Sequence, residues 1–156
     1  MGERSPWNNP SARGTFTGLT MDSSRADMTQ AVLEGVSFAV RDMYEFAKRT
    51  GVSLTSTMIC GGGAKSPLWR KMTANILNMR VDVPVSEEGP AMGAAMLAMV
   101  ACGEYKTVDE AAQAIVKVAK SEEPDPELVK KYEARYQQFR TIYPAMKEVF
   151  KIISAQ

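Results

Sequence analysis

Between residues 57 and 70 a short apolar run, Thr57-Met58-Ile59-Cys60, enters Gly61-Gly62-Gly63 and leaves through Ala64-Lys65-Ser66-Pro67 into a helical pattern. Three glycines in a row destabilise the interior of a helix or a strand, so both elements must end here. Ser66 followed by Pro67 reads as an N-cap and a first-turn proline, where the missing N–H costs nothing. The expected unit is a strand, a glycine turn and a helix running to about Leu77. Lacking Cβ atoms, such a turn lets backbone N–H groups approach a ligand, and the helix N-terminus behind it favours an anion. A tight strand-to-helix turn without any ligand accounts for the same residues. No Gly-Lys-Ser or Gly-Lys-Thr closes the loop and it lacks G-x-G-x-x-G spacing, which excludes a P-loop and a dinucleotide fingerprint.

The rest of the chain places this unit in an α/β frame. Residues 1 to 21, with Pro6-Trp7-Asn8-Asn9-Pro10, suit neither a helix interior nor a central strand and read as an ordered loop. Ser24-Arg25-Ala26-Asp27 resembles a capping box, and Met28, Val32, Val36, Ala39, Met43 and Phe46 follow at helical spacing until Gly51. Val81, Val83 and Val85 alternate as a second strand. Glu87-Glu88-Gly89-Pro90 then turns into a small-residue helix over Ala91–Ala101, ended by Gly103. Thr107-Val108-Asp109-Glu110 opens a helix to about Ala119, and Asp125-Pro126 opens the last. There Tyr132, Tyr136, Phe139, Tyr143, Met146, Phe150 and Ile153 recur at steps of three and four, with Pro144 marking a kink. Helix, strand, helix, strand, helix implies a sheet covered by helices. Two strands make an incomplete sheet, so the remainder is expected from sequence elsewhere or from another chain, and a start on a loop reads as a fragment.

Composition narrows the function classes. With 19 basic and 18 acidic residues the net charge is +1, so no bulk field draws nucleic acid or an anionic membrane, and any phosphate must be held locally. The absence of histidine removes Ser-His and Cys-His nucleophile systems and His-ligated zinc. Cys60 and Cys102 lie far apart in apolar contexts, as expected of reduced core thiols in a cytoplasmic protein. No apolar run reaches membrane-spanning length and the first residues lack a signal-peptide core.

Other candidates each carry a plainer alternative. Glu88-Gly89-Pro90-Ala91-Met92-Gly93-Ala94-Ala95 repeats the strand-to-helix glycine turn. Two such turns at adjacent strand ends would share the rim where α/β sheets bind ligands; Gly93, Ala94 and Ala95 equally suit close helix packing against a sheet. Glu87 and Glu88 suit a metal or a ribose hydroxyl, or plain solvation. Lys65 and Arg70 suit phosphates or a solvated helix face. Glu34, Ser37 and Arg41 share one helix face, which reads as an ordinary polar surface. The aromatic stripe of the last helix, without interleaved basic residues, reads as core or interface rather than a nucleic-acid platform.

Four segments together resemble the C-terminal part of the FGGY carbohydrate kinases: Gly2-Glu3-Arg4-Ser5-Pro6 with Asn9-Pro10-Ser11-Ala12-Arg13-Gly14; Ala31-Val32-Leu33-Glu34-Gly35-Val36-Ser37-Phe38; Gly61-Gly62-Gly63-Ala64-Lys65-Ser66-Pro67-Leu68-Trp69-Arg70; and Glu88 to Ala95. The resemblance covers the whole chain. Within the family, the Glu-Glu-Gly-Pro turn, Cys102-Gly103-Glu104-Tyr105 and Glu123-Pro124-Asp125-Pro126 look most like the xylulokinase branch. It implies residues 1–156 of a second actin-like ATPase (ribonuclease H-like) domain: an ordered loop over 1–21, a nucleotide-binding α/β core over 22–120 and a C-terminal helix over 125–156. It also implies ATP with magnesium as cofactors. Gly61, Gly62, Gly63 and Ala64 bed the adenosine and adjoining phosphates, with Ser66 and Pro67 beside the adenine. The family's acidic-glycine phosphate loop, its proton-accepting aspartate and its sugar-binding domain have no counterpart here. The chain alone is therefore expected to be inactive, with no catalytic residue of its own. The parent reaction would be phosphorylation of D-xylulose to D-xylulose 5-phosphate. The alternatives are gluconate, glycerol, ribulose or rhamnulose as substrate, or a non-catalytic dimerisation module. A homodimer or self-associating fragment, with neither nucleic-acid nor membrane partners, is the expected assembly.

Overall fold

The computed structural model describes residues 2–86 and 88–155. The longest helices start where their caps predict. α1 (Arg25–Lys48) opens on Ser24, whose hydroxyl accepts from the Asp27 N–H while the Asp27 carboxylate accepts from the Ser24 N–H. α5 (Pro126–Ser154) opens on Asp125, which accepts from the Glu127 and Leu128 N–H groups, and it continues past Pro144. Between them lie β1 (Ser56–Met58), α2 (Pro67–Leu77), β2 (Arg80–Pro84), α3 (Gly89–Ala101), α4 (Val108–Ile115) and β3 (Val118–Glu122).

The chain forms two compact units. One holds residues 2–53, 75–78 and 125–155, and so contains α1 and α5. Phe38 of α1, 4% exposed, sits against Tyr132, Tyr136 and Phe139 of α5 at ring-centroid separations of 6.2, 5.9 and 5.2 Å. Tyr136 donates to Asp42 at 2.6 Å, with the Arg41 guanidinium 4.0 Å from its ring centre. Burial and the neighbouring Asp42 carboxylate hold its phenol far above the ordinary tyrosine range.

The first segment is ordered, as expected. Glu3 and Asn9 exchange backbone hydrogen bonds of 2.9 and 2.7 Å, Trp7 stacks on Tyr143 at 4.6 Å, and Asn9 donates to the Tyr143 hydroxyl. The stripe on α5, which the sequence marks as core or interface, is thus largely covered from within the chain; Ile153 remains 52% exposed.

Three further expectations change here. The face of α1 that packs is not the apolar series: Val32, Val36, Met43 and Phe46 are exposed, and the buried face carries Glu34, Ser37 and Phe38. Glu34 accepts from Gln30 at 2.6 Å and Arg135 at 2.8 Å, while Arg41 pairs with Glu133. Glu34, Ser37 and Arg41 do share a face, but it is a buried polar seam rather than a solvated one. Cys60 and Cys102 are free thiols, yet exposed rather than in the core.

The second unit, Leu54–Ala74 with Met79–Pro124, contains the sheet. It has three strands where the sequence indicated two, in the order β1-β2-β3. β1 and β2 are parallel, pairing Thr57 with Val81 and Met58 with Asp82. β3 is antiparallel to β2, and the helix expected to reach Ala119 stops at Ile115 to make room for it. Thr107 caps that helix by accepting from the Glu110 N–H, and Glu110 reaches back to the Lys106 N–H. α3 has no buried residue, although its sequence is apolar on every side. The small residues expected to pack it closely on the sheet meet nothing at Gly93, where an added Cβ would lie in open space. No helix among the described residues is long and apolar enough to cross a membrane.

Candidate active site at the glycine turn

The carboxyl ends of β1 and β2 point the same way because the strands are parallel, so the segments that follow them emerge at one rim. After β1 the chain passes Gly61, whose φ of +79° is the left-handed backbone that glycine adopts without a Cβ penalty. It then makes one 3-10 turn over Gly62–Lys65, within the glycine turn that the sequence indicated. Ala64 donates to the Gly61 carbonyl at 3.1 Å, and Ser66, which follows the turn, donates to the Gly63 carbonyl at 3.2 Å.

After β2, Glu88 occupies the N-cap position of α3 without a side-chain capping bond, and Gly89 lies so close to β1's end that a Cβ there would sit 2.8 Å from the Cys60 sulfur. The two glycine turns therefore meet, as the shared-rim expectation required. Glu87 lies outside the described residues.

A cleft of about 350 Å³ opens at this rim. Gly61, Ala64, Lys65 and Arg70 line it from the turn and α2, and Val83–Val85 with Ala119 and Lys120 from the strands. Its strand side is shaped by a proline. Pro84 has no N–H for the ladder, and the register slips there: Val83 faces Lys120 and Pro84 faces Val118, leaving Ala119 as a bulge. Below it Asp82 accepts from Ser121 at 2.6 Å and from Arg80 at 3.0 Å, and these hydrogen bonds, Ser121's foremost, hold its carboxyl below the usual range.

The residues singled out in the sequence divide unevenly. Gly61 and Ala64 line the cleft. Gly62 is exposed, and a Cβ added to it meets nothing within 4 Å. Gly63 has a structural duty, since a Cβ there would come within 2.6 Å of the Trp69 ring. Ser66 caps α2, accepting from the Trp69 N–H at 3.3 Å, and Pro67 is its first residue.

Arg70 is neither solvated surface nor free for phosphate: 6% exposed, it donates to the Ala64 carbonyl at 2.7 Å and to Glu122 at 3.1 Å. Lys120 escaped the sequence reading because its strand did. Among the described residues lining the cleft are three cations, Lys65, Arg70 and Lys120, and no carboxylate. With Arg70 paired to Glu122, the charge that suits this small cleft to an anionic ligand comes from Lys65 and Lys120.

The sequence profile "FGGY family of carbohydrate kinases, C-terminal domain" matches residues 1–102. The chain belongs to the FGGY carbohydrate kinases. A xylulose kinase of Staphylococcus epidermidis is 36% identical over 148 residues, which is 95% of this chain and 30% of that protein. Among solved structures, the ligand-bound xylulose kinase and a gluconate kinase, both of Lactobacillus acidophilus, superpose with a TM-score of 0.86 at 25% identity. Each comparison covers 96% of this chain and 30% of the other. This FGGY chain thus has the actin-like ATPase fold and spans about a third of the length of the relatives it matches.

Proposed function

We propose that the chain forms the adenosine-binding side of an ATP-dependent sugar kinase. The observation that carries this reading is the cleft at the carboxyl ends of two parallel strands, lined by Gly61, Ala64 and Lys65 of the glycine turn together with Lys120. In this reading Gly61, Gly62, Gly63 and Ala64 bed the adenosine and phosphates, Ser66 and Pro67 flank the adenine, and Lys65 and Lys120 offset phosphate charge. Magnesium would arrive with the nucleotide: no three His, Cys, Asp or Glu residues gather to hold a metal among the described residues, so none is assigned as its ligand. The parent transfers the γ-phosphoryl group of ATP to a sugar hydroxyl. The names of the relatives favour O5 of D-xylulose, with gluconate as the runner-up on structural likeness. The proton-accepting aspartate and the sugar site belong to the rest of the kinase, and the chain's own contribution is binding and positioning.

Calorimetric titration of the chain with ATP and ADP, alongside a coupled assay with D-xylulose, tests this. Binding without sugar-dependent turnover is expected. No binding at millimolar nucleotide, or turnover by the pure chain, would overturn it. Turnover by the full-length kinase on D-xylulose and gluconate decides the substrate. The exposed apolar faces of α1 and α3 favour a second reading, a dimerisation module; a chain that dimerises and ignores nucleotide would support it.

A further inference from the structure

The guanidinium of Arg70 is among the most buried charged groups in the chain, and its neighbours are unusual for a residue in the first turns of a helix. Its Nη1 donates to the Ala64 carbonyl at 2.7 Å, while Nε and Nη2 both lie 3.1 Å from one Glu122 oxygen. Ala64 belongs to the 3-10 turn that lines the cleft, and Glu122 ends β3, whose residues Ala119 and Lys120 line it too. A planar fork therefore ties two elements that line one cleft, the turn and β3, together through a single side chain. We propose that Arg70 is a positioning residue for nucleotide binding, held by Glu122, and that it sets the distance of the glycine turn from β3.

Burying an ion pair is a poor way to gain stability, because removing two charges from water offsets most of their attraction. Geometry is the better account. A 3-10 turn this short has few internal hydrogen bonds and follows a glycine with positive φ, so its own backbone does little to hold it in place. An outside donor on the Ala64 carbonyl supplies what the turn lacks. Arginine suits this because three of its donors lie in one plane at fixed angles; a lysine ammonium can reach the carbonyl or the carboxylate but cannot hold their mutual orientation. Neither group is asked to touch the nucleotide, so the effect is expected in affinity and not in any chemical step.

The inference rests on the cleft being the nucleotide site, and the test separates the two. Wild type, Arg70→Lys, Glu122→Ala, Glu122→Gln and the double variant Arg70→Lys/Glu122→Ala are titrated with a fluorescent ADP analogue. Amide hydrogen exchange is followed at residues 62–65 in the nucleotide-free chains. Arg70→Lys and Glu122→Ala should each weaken binding about tenfold, and the double variant no more than either single one, because both changes undo the same device. Glu122→Gln keeps the acceptor oxygen and should stay within about threefold of wild type, a rescue that a role in bulk charge would not show. Exchange at 62–65 should rise in the two weakened variants while that of α1 and α5 stays unchanged. Unaltered exchange at the turn overturns the proposal whether or not nucleotide binds. Faster exchange with unaltered affinity overturns the role in binding. No binding by wild type overturns the nucleotide reading itself, while the exchange data still judge the strut.

Discussion

Neighbouring glycines in the turn should respond to the same substitution with opposite signs. In Gly63→Ala the new Cβ would sit 2.6 Å from Cζ3 and 2.9 Å from Cε3 of Trp69. Carbon atoms pack at about 3.5–4.0 Å, so the ring or the turn must move by about 1 Å. Overpacking of this kind costs about 1–3 kcal/mol, against a gain of about 0.4–1 kcal/mol from stiffening the unfolded chain. The clash wins, and Gly63→Ala should be destabilising by up to about 2.5 kcal/mol. In Gly62→Ala the Cβ meets nothing within 4 Å and the residue has no positive φ, so only the entropic term acts. That variant should be stabilised by about 0.4–1 kcal/mol. Urea unfolding followed by tryptophan emission reads both, and the two midpoints should fall on either side of wild type. Equal shifts, or a stabilised Gly63→Ala, would refute the packing of Trp69 on the turn. The same position offers a probe of function. On the proposed nucleotide reading, Gly62→Val should weaken nucleotide binding while leaving unfolding near wild type, because its Cβ would meet no other atom of the chain within 4 Å.

Other consequences concern the two units separately. Phe38→Ala removes the ring that three α5 aromatics surround and should cost about 3–5 kcal/mol, read as a lowered urea midpoint; a change under 1 kcal/mol would deny that this seam is the core of its unit. Asp82 has a depressed carboxyl pKa when folded, so its contribution is present above the unfolded value of about 4 and is lost as pH falls through the lower folded value. Asp82→Asn should therefore trail wild type in stability at pH 7 and converge with it in acid; a gap that stays constant as the pH falls through the carboxylate range would contradict the assignment. With apolar residues exposed along α1 and throughout α3, the chain should self-associate at micromolar concentration, and a sharp monomer mass by light scattering would refute that.

What the sequence could determine by itself was local. Ser24, Thr107 and Asp125 start their helices because each cap needs only a neighbouring N–H, and those partners lie two or three residues away. Gly61-Gly62-Gly63 had to interrupt strand and helix wherever the chain went, so the candidate site could be read from its turn. The family likeness lay in four local segments, that turn among them.

Tertiary structure decided what depends on distant partners. Val118–Glu122 carries Ala, Lys and Glu, poor strand residues, and becomes a strand because β2 offers an unpaired edge. Pro84 on that edge then shifts the register and forms the bulge that brings Lys120 to the cleft. Periodicity showed that α1 has faces but not which one meets α5. The polar seam of Glu34, Ser37 and Arg41 was chosen because Arg135, Glu133 and Tyr136 stand opposite to satisfy it. Arg70 gave no local hint of burial, since its carbonyl lies six residues away and its carboxylate fifty-two. A buried charge is tolerable only where the fold has already assembled its partners, and that information is not local in the chain.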